Sequence, residues 1–426
     1  MMFLLSQAGY DVTGDTDNAD VVLLNTCGFI NDAKSEAVES IMYFVAEKRE
    51  GRVGKIIVAG CLPQREKNKV LEEIPEIDAI VGTGSFDDIV NVVKSLEENR
   101  FIDESGKLFF GDIDAPVSET PRILTTSSDW AYLKIAEGCD NRCAFCSIPD
   151  IRGKYRSRPL ENVISEARRL VNSGISEVII VAQDVTRYGV DLYGKRGLSS
   201  LLRELNKIEK LKWIRLHYLY PDEFDDELID VIAKSGKILK YLDIPIQHIS
   251  DEILGKMNRR GGSEDIKELF SKLRERIPDV VLRTSLIAGL PGEGEAEFQE
   301  LCEFIKEAKI EHVGVFAYSP EDGTVAAKMD RPSKEIAEQR ATQLLDIQSE
   351  VMQNWYESRV DSKTTVLIEG YDMSDEHTLR CYGRSYAESP DIDGYITVEM
   401  IDQIKGKFCD IIITKVENGR LIGEPV

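Results

Sequence analysis

Three cysteines lie within eight residues, at positions 139, 143 and 146. They directly follow an apolar run at 132–135 that is typical of a strand. Thiolates bind soft metals, and iron–sulfur clusters are held mainly by cysteine thiolates. A 4Fe–4S cluster held by Cys139, Cys143 and Cys146 keeps its fourth iron open to a ligand, whereas a fully ligated cluster mostly carries electrons. The spacing therefore predicts a cluster that can bind and activate a ligand.

Two other kinds of site can use closely spaced cysteines. A disulfide pairs two of them and leaves the third over. A structural zinc site takes four ligands, commonly from paired C-x-x-C segments, and no second segment of that kind lies nearby in the sequence. Chance spacing is the remaining alternative. The cluster is the interpretation that uses all three thiols.

The composition is that of an ordinary globular chain, with 42% hydrophobic and 30% charged residues. No apolar run approaches the length that spans a bilayer. Residues 1–5 are apolar but lack a basic flank, so we expect no signal peptide. Eight cysteines without a secretory signal indicate reduced thiols in the cytoplasm. The formal charge of −23 disfavours bare nucleic acid as a partner and suits a basic protein.

The first hundred residues predict a small open α/β domain. Short apolar runs at 21–24, 56–59 and 79–81 are typical of a parallel sheet covered on both faces. Ligands bind such sheets at the carboxyl ends of the strands. Cys27 follows the first run and Cys61 the second, so both are candidate metal ligands, although isolated cysteines are also often buried core thiols. The polar residues 101–125 predict a linker with room for one hairpin.

From about 128 to 330, strand, loop and helix alternate six times. The predicted strands lie at 132–135, 178–181, 213–216, 241–244, 281–287 and 313–316. Six consecutive βα units predict a curved parallel sheet or partial barrel, with the active site at the carboxyl ends of its strands. Polar residues at those ends include Gln183, Gln247 and Ser285, which we take as candidate ligand contacts. His217 and His248 also follow strands and could be catalytic or structural.

The rest of the chain predicts a long helix at 333–358 and then a small antiparallel barrel. Strand-like runs lie at 364–368, 395–400 and 409–416. Residues 361–426 contain seven lysines and arginines and thirteen aspartates and glutamates. The predicted barrel is therefore acidic.

The motif C-x3-C-x2-C, with Phe145 before its last cysteine, resembles the signature of radical S-adenosylmethionine (SAM) enzymes. The order of the three parts, over essentially the whole chain, resembles the methylthiotransferases of that superfamily. Further matching stretches are Asn25-Thr26-Cys27, Gly60-Cys61-Leu62, Glu137-Gly138-Cys139, Arg152-Gly153, Ser157-Arg158 and residues 289–293. The resemblance implies an α/β fold in three domains: an open methylthiotransferase domain at 1–110, a partial (β/α)6 radical SAM barrel with a trailing helix at 125–358, and an OB-like antiparallel TRAM barrel at 359–426.

The resemblance also implies the cofactors. Cys139, Cys143 and Cys146 would hold a catalytic 4Fe–4S cluster whose open iron binds SAM, and reductive cleavage of SAM would yield a 5′-deoxyadenosyl radical. Phe145 would pack beside the adenine. Cys27 and Cys61 would hold a second 4Fe–4S cluster with one more ligand. The family pattern has another cysteine after a first strand, which this sequence lacks, so we expect a sequence shortened at its start.

Within the family, residues 182–184, 245–248 and 383–391 resemble the branch that adds a methylthio group to an aspartate β-carbon in a protein of the small ribosomal subunit. The alternative branch modifies adenosine in tRNA. A TRAM barrel that binds tRNA should be basic, and this acidic one suits a basic ribosomal protein. The expected partners are that protein and a one-electron reductant such as flavodoxin or ferredoxin, with no membrane. A non-enzymatic iron–sulfur carrier or scaffold is the alternative from another class.

Overall fold

The computed structural model of the protein describes residues 1–16, 19–98, 104–372, 379–400 and 407–426. The strands are β1 (Ala19–Thr26), β2 (Val53–Gly60), β3 (Ala79–Val81), β4 (Leu108–Phe109), β5 (Trp130–Lys134), β6 (Ala136–Glu137), β7 (Arg156–Ser157), β8 (Glu177–Val181), β9 (Trp213–Leu216), β10 (Ile238–Asp243), β11 (Val281–Ala288), β12 (His312–Ala317), β13 (Lys363–Asp372), β14 (Leu379–Arg384), β15 (Ile396–Met400), β16 (Phe408–Glu417) and β17 (Arg420–Pro425).

The helices are α1 (Met2–Gln7), α2 (Asn31–Arg49), α3 (Cys61–Glu66), α4 (Lys69–Glu73), α5 (Ile89–Glu97), α6 (Ile148–Arg152), α7 (Leu160–Asn172), α8 (Val190–Tyr193), α9 (Leu198–Asn206), α10 (Asp226–Lys234), α11 (Asp251–Lys256), α12 (Ser263–Arg276), α13 (Glu295–Ala308) and α14 (Lys334–Ser358). Short 3-10 helices lie at Thr83–Asp88, Glu104–Lys107, Pro221–Glu223 and Ala326–Lys328. Within the described ranges, no helix is long and apolar enough to cross a membrane.

The chain forms two compact units. The first contains Met1–Thr125, Glu137–Arg158 and Ser319–Lys328, and the second contains Thr126–Ala136, Pro159–Tyr318 and Met329–Val426. The first unit therefore combines the N-terminal segment with the loop that carries Cys139, Cys143 and Cys146.

The first unit is built on a parallel four-stranded sheet in the order β1-β2-β3-β4. Apolar residues alternate along β2, so Ile56 and Val58 pack in the core on one face while Ile57 and Ala59 pack on the other. This confirms the predicted open α/β arrangement. The region predicted to be a linker with one hairpin instead supplies β4, which joins the sheet edge in parallel with β3; residues 101–103 of that region lie outside the described residues.

The second unit contains the predicted six-stranded parallel sheet, in the order β12-β11-β10-β9-β8-β5. All five neighbouring pairs are parallel, and the connecting helices bury one apolar stripe each. In α7, for example, Val163, Ala167 and Leu170 are buried while the opposite face is exposed. The carboxyl ends of the strands share one rim, which is the edge where the sequence placed ligand contacts.

The predicted long helix is α14, and it begins where Ser333 accepts a hydrogen bond from the amide of Ile336 at 3.4 Å. After it, β13 to β17 close into a five-stranded barrel in the order β13-β14-β15-β17-β16. All of its described pairings are antiparallel except β15 with β17. Its core contains Val366, Ile396, Val398 and Ile411. The small C-terminal barrel is therefore confirmed.

Residues 384–393, between β14 and β15, are held by buried polar contacts to the six-stranded sheet. The side chain of Arg215 donates to the carbonyl of Tyr386 at 2.8 Å, and Tyr241 Oη donates to Asp393 Oδ2 at 2.7 Å. His312 Nε2 lies 2.9 Å from the carbonyl oxygen of Ala387. The C-terminal barrel is therefore anchored to the central sheet through this segment.

Glu177 is the carboxylate at the centre of that interface. It is fully buried and accepts from Arg215 Nε at 2.7 Å and from Arg384 Nη2 at 2.8 Å. Burial has the largest influence and raises the pKa of Glu177, but the two guanidinium groups outweigh it and hold that pKa below its ordinary value. Glu177 is therefore ionised at neutral pH and neutralises two buried cations.

We expect Glu177→Ala to lower the free energy of unfolding of the second unit by about 3–5 kcal/mol, because it leaves buried guanidinium groups without their shared carboxylate. The three tryptophans, at 130, 213 and 355, all lie in this unit, so their fluorescence during guanidinium unfolding measures the effect. The matched control is Glu209→Ala at an exposed site, which should change stability by no more than about 0.5 kcal/mol. An equally small effect of Glu177→Ala would contradict the assignment.

Candidate functional site

The three-cysteine loop runs from Cys139 to Cys146, between β6 and α6, and its backbone is tightly constrained. Gly138 has φ +81°, and a Cβ there would overlap the carbonyl of Lys154, so only glycine fits. The amide of Cys139 donates to the carbonyl of Gly153 at 3.1 Å, and the amide of Cys146 donates to the carbonyl of Cys143 at 3.0 Å. These bonds fix the loop at both of its ends.

The thiols of this loop differ in exposure. Cys139 is buried, whereas Cys143 and Cys146 are half-buried. Phe145 lies between the last two cysteines and is also half-buried, so its ring is available to a bound molecule. The structure thus places all three predicted cluster ligands and Phe145 in one short loop of the first unit.

Cys27 and Cys61 lie at the same edge of the small sheet, as the sequence predicts. Cys27 follows β1 and is exposed, while Cys61 follows β2 and begins α3. The two strands are neighbours, with Thr26 opposite Gly60. A Cβ on Gly28 would come within 2.6 Å of the Cα of Leu62, so the backbone after Cys27 packs directly on the backbone after Cys61.

Arg152 links the two groups of cysteines within the first unit. It ends α6, just after the three-cysteine loop, and its Nη2 donates to Cys61 Sγ at 3.1 Å. Its Nη1 lies 3.4 Å from Glu137 Oε1. Burial, the largest influence, lowers the pKa of Arg152, but Glu137 and Cys61 together keep it above its ordinary value. A permanent positive charge therefore lies beside a candidate thiolate ligand.

The residues of the loop fit a 4Fe–4S cluster with one open iron. Three soft thiolate donors face no fourth protein thiol within their loop, which is the donor set such a cluster needs. Ser147, directly after Cys146, carries a buried hydroxyl oxygen with no hydrogen-bond partner among the described residues. A buried hydroxyl of this kind normally has a hydrogen-bond partner, which a bound cofactor could supply.

A zinc site is the other metal site that closely spaced cysteines can form. Within the part of the chain that the structure describes, no group of three or more histidine, cysteine, aspartate and glutamate side chains is arranged to hold one ion. A tetrahedral zinc ion draws its sulfur ligands together at about 2.3 Å from the metal. A cubane binds each thiolate through a different iron, so its sulfur ligands stand further apart.

The remaining predicted contacts lie in the second unit. The amide of Gln247 donates to the carbonyl of Ser285 at 2.9 Å, and both side chains are half-buried near the carboxyl ends of β10 and β11. Gln247 has φ +72°, a conformation that few residues other than glycine adopt. Gln183 follows β8 and is also half-buried, but β9 and β10 separate it from β11. The structure brings Gln247 and Ser285 together and places Gln183 elsewhere on the rim.

The two candidate histidines have structural partners. Burial lowers the pKa of His217 to about 4, so the ring is neutral, and its Nε2 lies 2.9 Å from the hydroxyl of Ser389. His248 Nδ1 accepts from the amide of Ser250 at 3.0 Å, and its Nε2 lies 3.3 Å from Glu293 Oε2. Both rings are fully buried, which favours the structural interpretation over the catalytic one.

The turn at 289–293 is held by its own glutamate. The amide of Gly289 donates to both carboxylate oxygens of Glu293, at 2.9 and 3.0 Å, and Arg340 Nη1 donates to the same carboxylate at 2.8 Å. Gly289 has φ +80°, and a Cβ there would overlap Ala337. Glu293 therefore fixes the loop after β11 rather than reaching a ligand.

Sequence reasoning missed the charged residues that organise the first unit. Arg152 lies in a stretch that matches the family, but neither periodicity nor spacing marks Arg152, Arg65 or Glu321 as functional. Arg65 Nη1 donates to Glu321 Oε2 at 2.8 Å, and both side chains are largely buried. The sequence does place both arginines close to candidate metal ligands: Arg65 lies four residues after Cys61, and Arg152 lies six residues after Cys146.

Comparison with known proteins gives three family matches along the chain. The Radical SAM superfamily matches residues 133–305, the uncharacterized protein family UPF0004 matches residues 1–82, and the TRAM domain matches residues 360–426. Together they cover most of the N-terminal segment, most of the central sheet and the C-terminal barrel.

Curated relatives match along the whole chain. The ribosomal protein uS12 methylthiotransferase RimO of Acetivibrio thermocellus is 44% identical over 100% of this chain and 94% of its own length. The protein of the same name from Citrifermentans bemidjiense is 43% identical, and that from Clostridioides difficile strain 630 is 42% identical, each with the same coverage. This chain therefore spans nearly the full length of these relatives.

Solved structures share the fold at low sequence identity. The radical SAM methyltransferase TsrM from Kitasatospora setae, with cobalamin and a [4Fe-4S] cluster bound, has a TM-score of 0.55 at 16% identity, over 74% of this chain and 66% of its own. Its complex with tryptophan and a SAM analogue gives a TM-score of 0.54 at the same identity, over 76% and 66%. At this identity the similarity supports the fold alone.

Proposed function

The chain belongs to the ribosomal protein uS12 methylthiotransferases of the radical SAM superfamily, and from that membership we propose that it adds a methylthio group to the β-carbon of an aspartate in uS12. The structural observation that supports this most is the pairing of two cysteine groups in one compact unit. One group has the spacing for SAM cleavage, and the other supplies ligands for a sulfur-carrying centre.

The proposal assigns the ligands as follows. Cys139, Cys143 and Cys146 hold one 4Fe–4S cluster and leave an iron open to SAM, and Cys27 and Cys61 contribute to a second. When bound, these groups would supply the electron that breaks a sulfur–carbon bond of SAM and the sulfur that is inserted after the resulting carbon radical takes a hydrogen atom from the substrate. A second SAM would donate the methyl group.

The protein residues position and insulate these groups. Arg152 keeps a positive charge beside Cys61, which offsets the negative charge that thiolate ligands bring into a buried site. Phe145 offers a half-buried ring to the adenine of SAM, and Gln183, Gln247 and Ser285 are the proposed polar contacts to SAM or substrate. The backbone of Lys154 packs closely against Gly138, which holds the three-cysteine loop in place. A site held in this way can enclose a reactive species and limit its side reactions.

Charge supports a protein substrate. The chain carries a net charge of −23, and its C-terminal barrel has thirteen acidic against seven basic residues, so its surface attracts a lysine- and arginine-rich ribosomal protein. A barrel that grips tRNA would need a basic surface, which makes the tRNA-modifying function the weaker candidate. A one-electron reductant such as flavodoxin or ferredoxin is the second proposed partner, and the cytoplasm, where ribosomal proteins are made, is the proposed location.

The three parts then have separate roles. We assign sulfur handling to residues 1–110, radical formation to 125–358 and substrate recognition to 359–426. A purely electron-carrying iron–sulfur protein would share the cysteines but has no use for a six-stranded sheet with a polar rim. Binding of SAM in equilibrium dialysis separates these two functions, because an electron carrier does not bind it.

Mass spectrometry of ribosomal proteins and tRNA from cells with and without this gene tests the proposed function. We expect uS12 to lose the mass of one methylthio group in cells without the gene, while tRNA stays unchanged. If tRNA instead loses a methylthio group and uS12 does not, the proposed substrate is wrong.

A further inference from the structure

The segment Ser319–Lys328, here called the strap, follows β12 but belongs to the first unit. It lies far in sequence from both groups of cysteines, yet it contacts the backbone beside each of them. Neither the family motif nor the predicted ligands include it. Its contacts give it a role in the relative placement of the two groups.

One end of the strap is tied to the loop after Cys27. Glu321 Oε1 accepts from the amide of Asn31 at 3.0 Å, and Asn31 Nδ2 donates to Ser319 Oγ at 3.2 Å. Glu321 Oε2 accepts from Arg65 Nη1 at 2.8 Å, and the same Nη1 donates to the carbonyl of Gly28 at 3.0 Å. The pair thus holds the residue directly after Cys27.

Arg65 also connects the strap to Cys61. It lies on α3, the helix that begins at Cys61, and its Nη2 donates to the carbonyl of Asp322 at 3.1 Å. The Arg65 and Glu321 side chains are only 10% and 4% exposed. Loss of one partner leaves the other charge buried and uncompensated, so breaking this pair costs more than breaking a surface ion pair.

The other end of the strap is tied to the three-cysteine loop. The amide of Ala326 donates to the carbonyl of Ala144 at 2.9 Å, and Ala144 lies between Cys143 and Cys146. Ala326 is fully buried. Between the two ends, Thr324 Oγ1 donates to the carbonyl of Glu321 at 2.7 Å, which keeps the strap compact. The strap therefore contacts the Glu321–Arg65 pair at one end and the loop of Cys143 and Cys146 at the other.

We propose that Glu321, through its buried pair with Arg65, is a positioning residue that sets the spacing between the Cys27–Cys61 group and the Cys139–Cys146 loop. The inference rests on the proposed function, because sulfur insertion requires the radical formed at one group to meet sulfur held at the other. Misplacement of reacting groups by about 1 Å can cost about 100-fold in rate. Cleavage of SAM does not use the Cys27–Cys61 group, so we expect a change in the spacing between the two groups to affect SAM cleavage less than methylthiolation.

The test compares Glu321→Ala with Glu350→Ala, a control at an exposed site on α14. For Glu321→Ala we expect uS12 methylthiolation to fall by about 10- to 100-fold while 5′-deoxyadenosine still forms, so that the ratio of 5′-deoxyadenosine to modified uS12 rises. Glu321→Gln keeps two polar atoms and should lie between the wild type and Glu321→Ala. An unchanged ratio of 5′-deoxyadenosine to modified uS12, whether both products fall equally or neither falls, would overturn the proposal.

Amide hydrogen exchange of the metal-free protein supplies a readout that does not depend on activity. In Glu321→Ala the amide of Asn31 should exchange about tenfold faster, the factor that corresponds to the loss of one hydrogen bond to a charged group, and the amide of Ala326 should also exchange faster. Faster exchange at Asn31 alone would show that the two ends move independently and would contradict the proposal. If the wild type forms no modified uS12, the proposed function fails, and the exchange result still decides whether the strap couples the two ends.

Discussion

Cys143→Ala should abolish the cleavage of SAM in the presence of dithionite. The three-cysteine loop offers three thiolates, and a cluster that loses one of them loses both a ligand and the fixed position of its open iron. Changes to groups that only support a metal ligand already cost about 10- to 100-fold in affinity or activity, so removal of a ligand should cost more. The measurement is 5′-deoxyadenosine formed per hour by anaerobically reconstituted protein.

Cys302→Ala is the matched control for this variant. Cys302 is a buried thiol on α13, and burial raises its pKa, so it stays a neutral core side chain. Its removal leaves the three-cysteine loop untouched and should leave SAM cleavage near the wild-type rate. Continued formation of 5′-deoxyadenosine by Cys143→Ala would refute the ligand assignment.

Cys61→Ala should leave SAM cleavage intact and stop sulfur insertion. Cys61 lies at the carboxyl edge of the small sheet with Cys27, and it receives the hydrogen bond from Arg152. Its loss removes a proposed ligand of the second cluster but none of the proposed ligands of the cluster that cleaves SAM. In this variant we therefore expect 5′-deoxyadenosine to form as in the wild type and modified uS12 to be absent, with both products measured in parallel assays.

A matched control for Cys61→Ala is Cys381→Ala. Cys381 is a fully buried thiol of the C-terminal barrel, and burial raises its pKa to about 11, so it is not a thiolate at neutral pH. This control should retain both products. If Cys61→Ala retains methylthiolation, Cys61 is not an essential ligand, and other residues must hold the sulfur.

The sequence predicted the parts of the fold that depend on local pattern. Parallel strands buried on both faces appear as continuous apolar runs, so β2, β3 and the six strands of the central sheet were located to within a few residues. The three cysteines were found because their spacing alone restricts the chemistry. Cys27 and Cys61 were placed together because neighbouring parallel strands end at one edge.

The rest of the candidate site depends on contacts between residues far apart in sequence. Arg65 meets Glu321 across 256 positions, and no periodic pattern marks either of them. His217 stood at a strand end, as a catalytic residue would, but its partner Ser389 comes from the C-terminal barrel 172 positions away. The sequence places Gln183, Gln247 and Ser285 together at the carboxyl ends of strands, but Ser285 lies inside β11 and strand order around the sheet separates Gln183 from it.

The central claim is that this chain cleaves SAM at Cys139, Cys143 and Cys146 and places a methylthio group on uS12. The most direct measurement is tandem mass spectrometry after anaerobic incubation of the reconstituted protein with SAM, a reductant, purified uS12 and tRNA in one vessel. We expect one methylthio group on an aspartate of uS12, none on tRNA, and none on either with Cys143→Ala. Modified tRNA with unmodified uS12, or modified uS12 with Cys143→Ala, would contradict it.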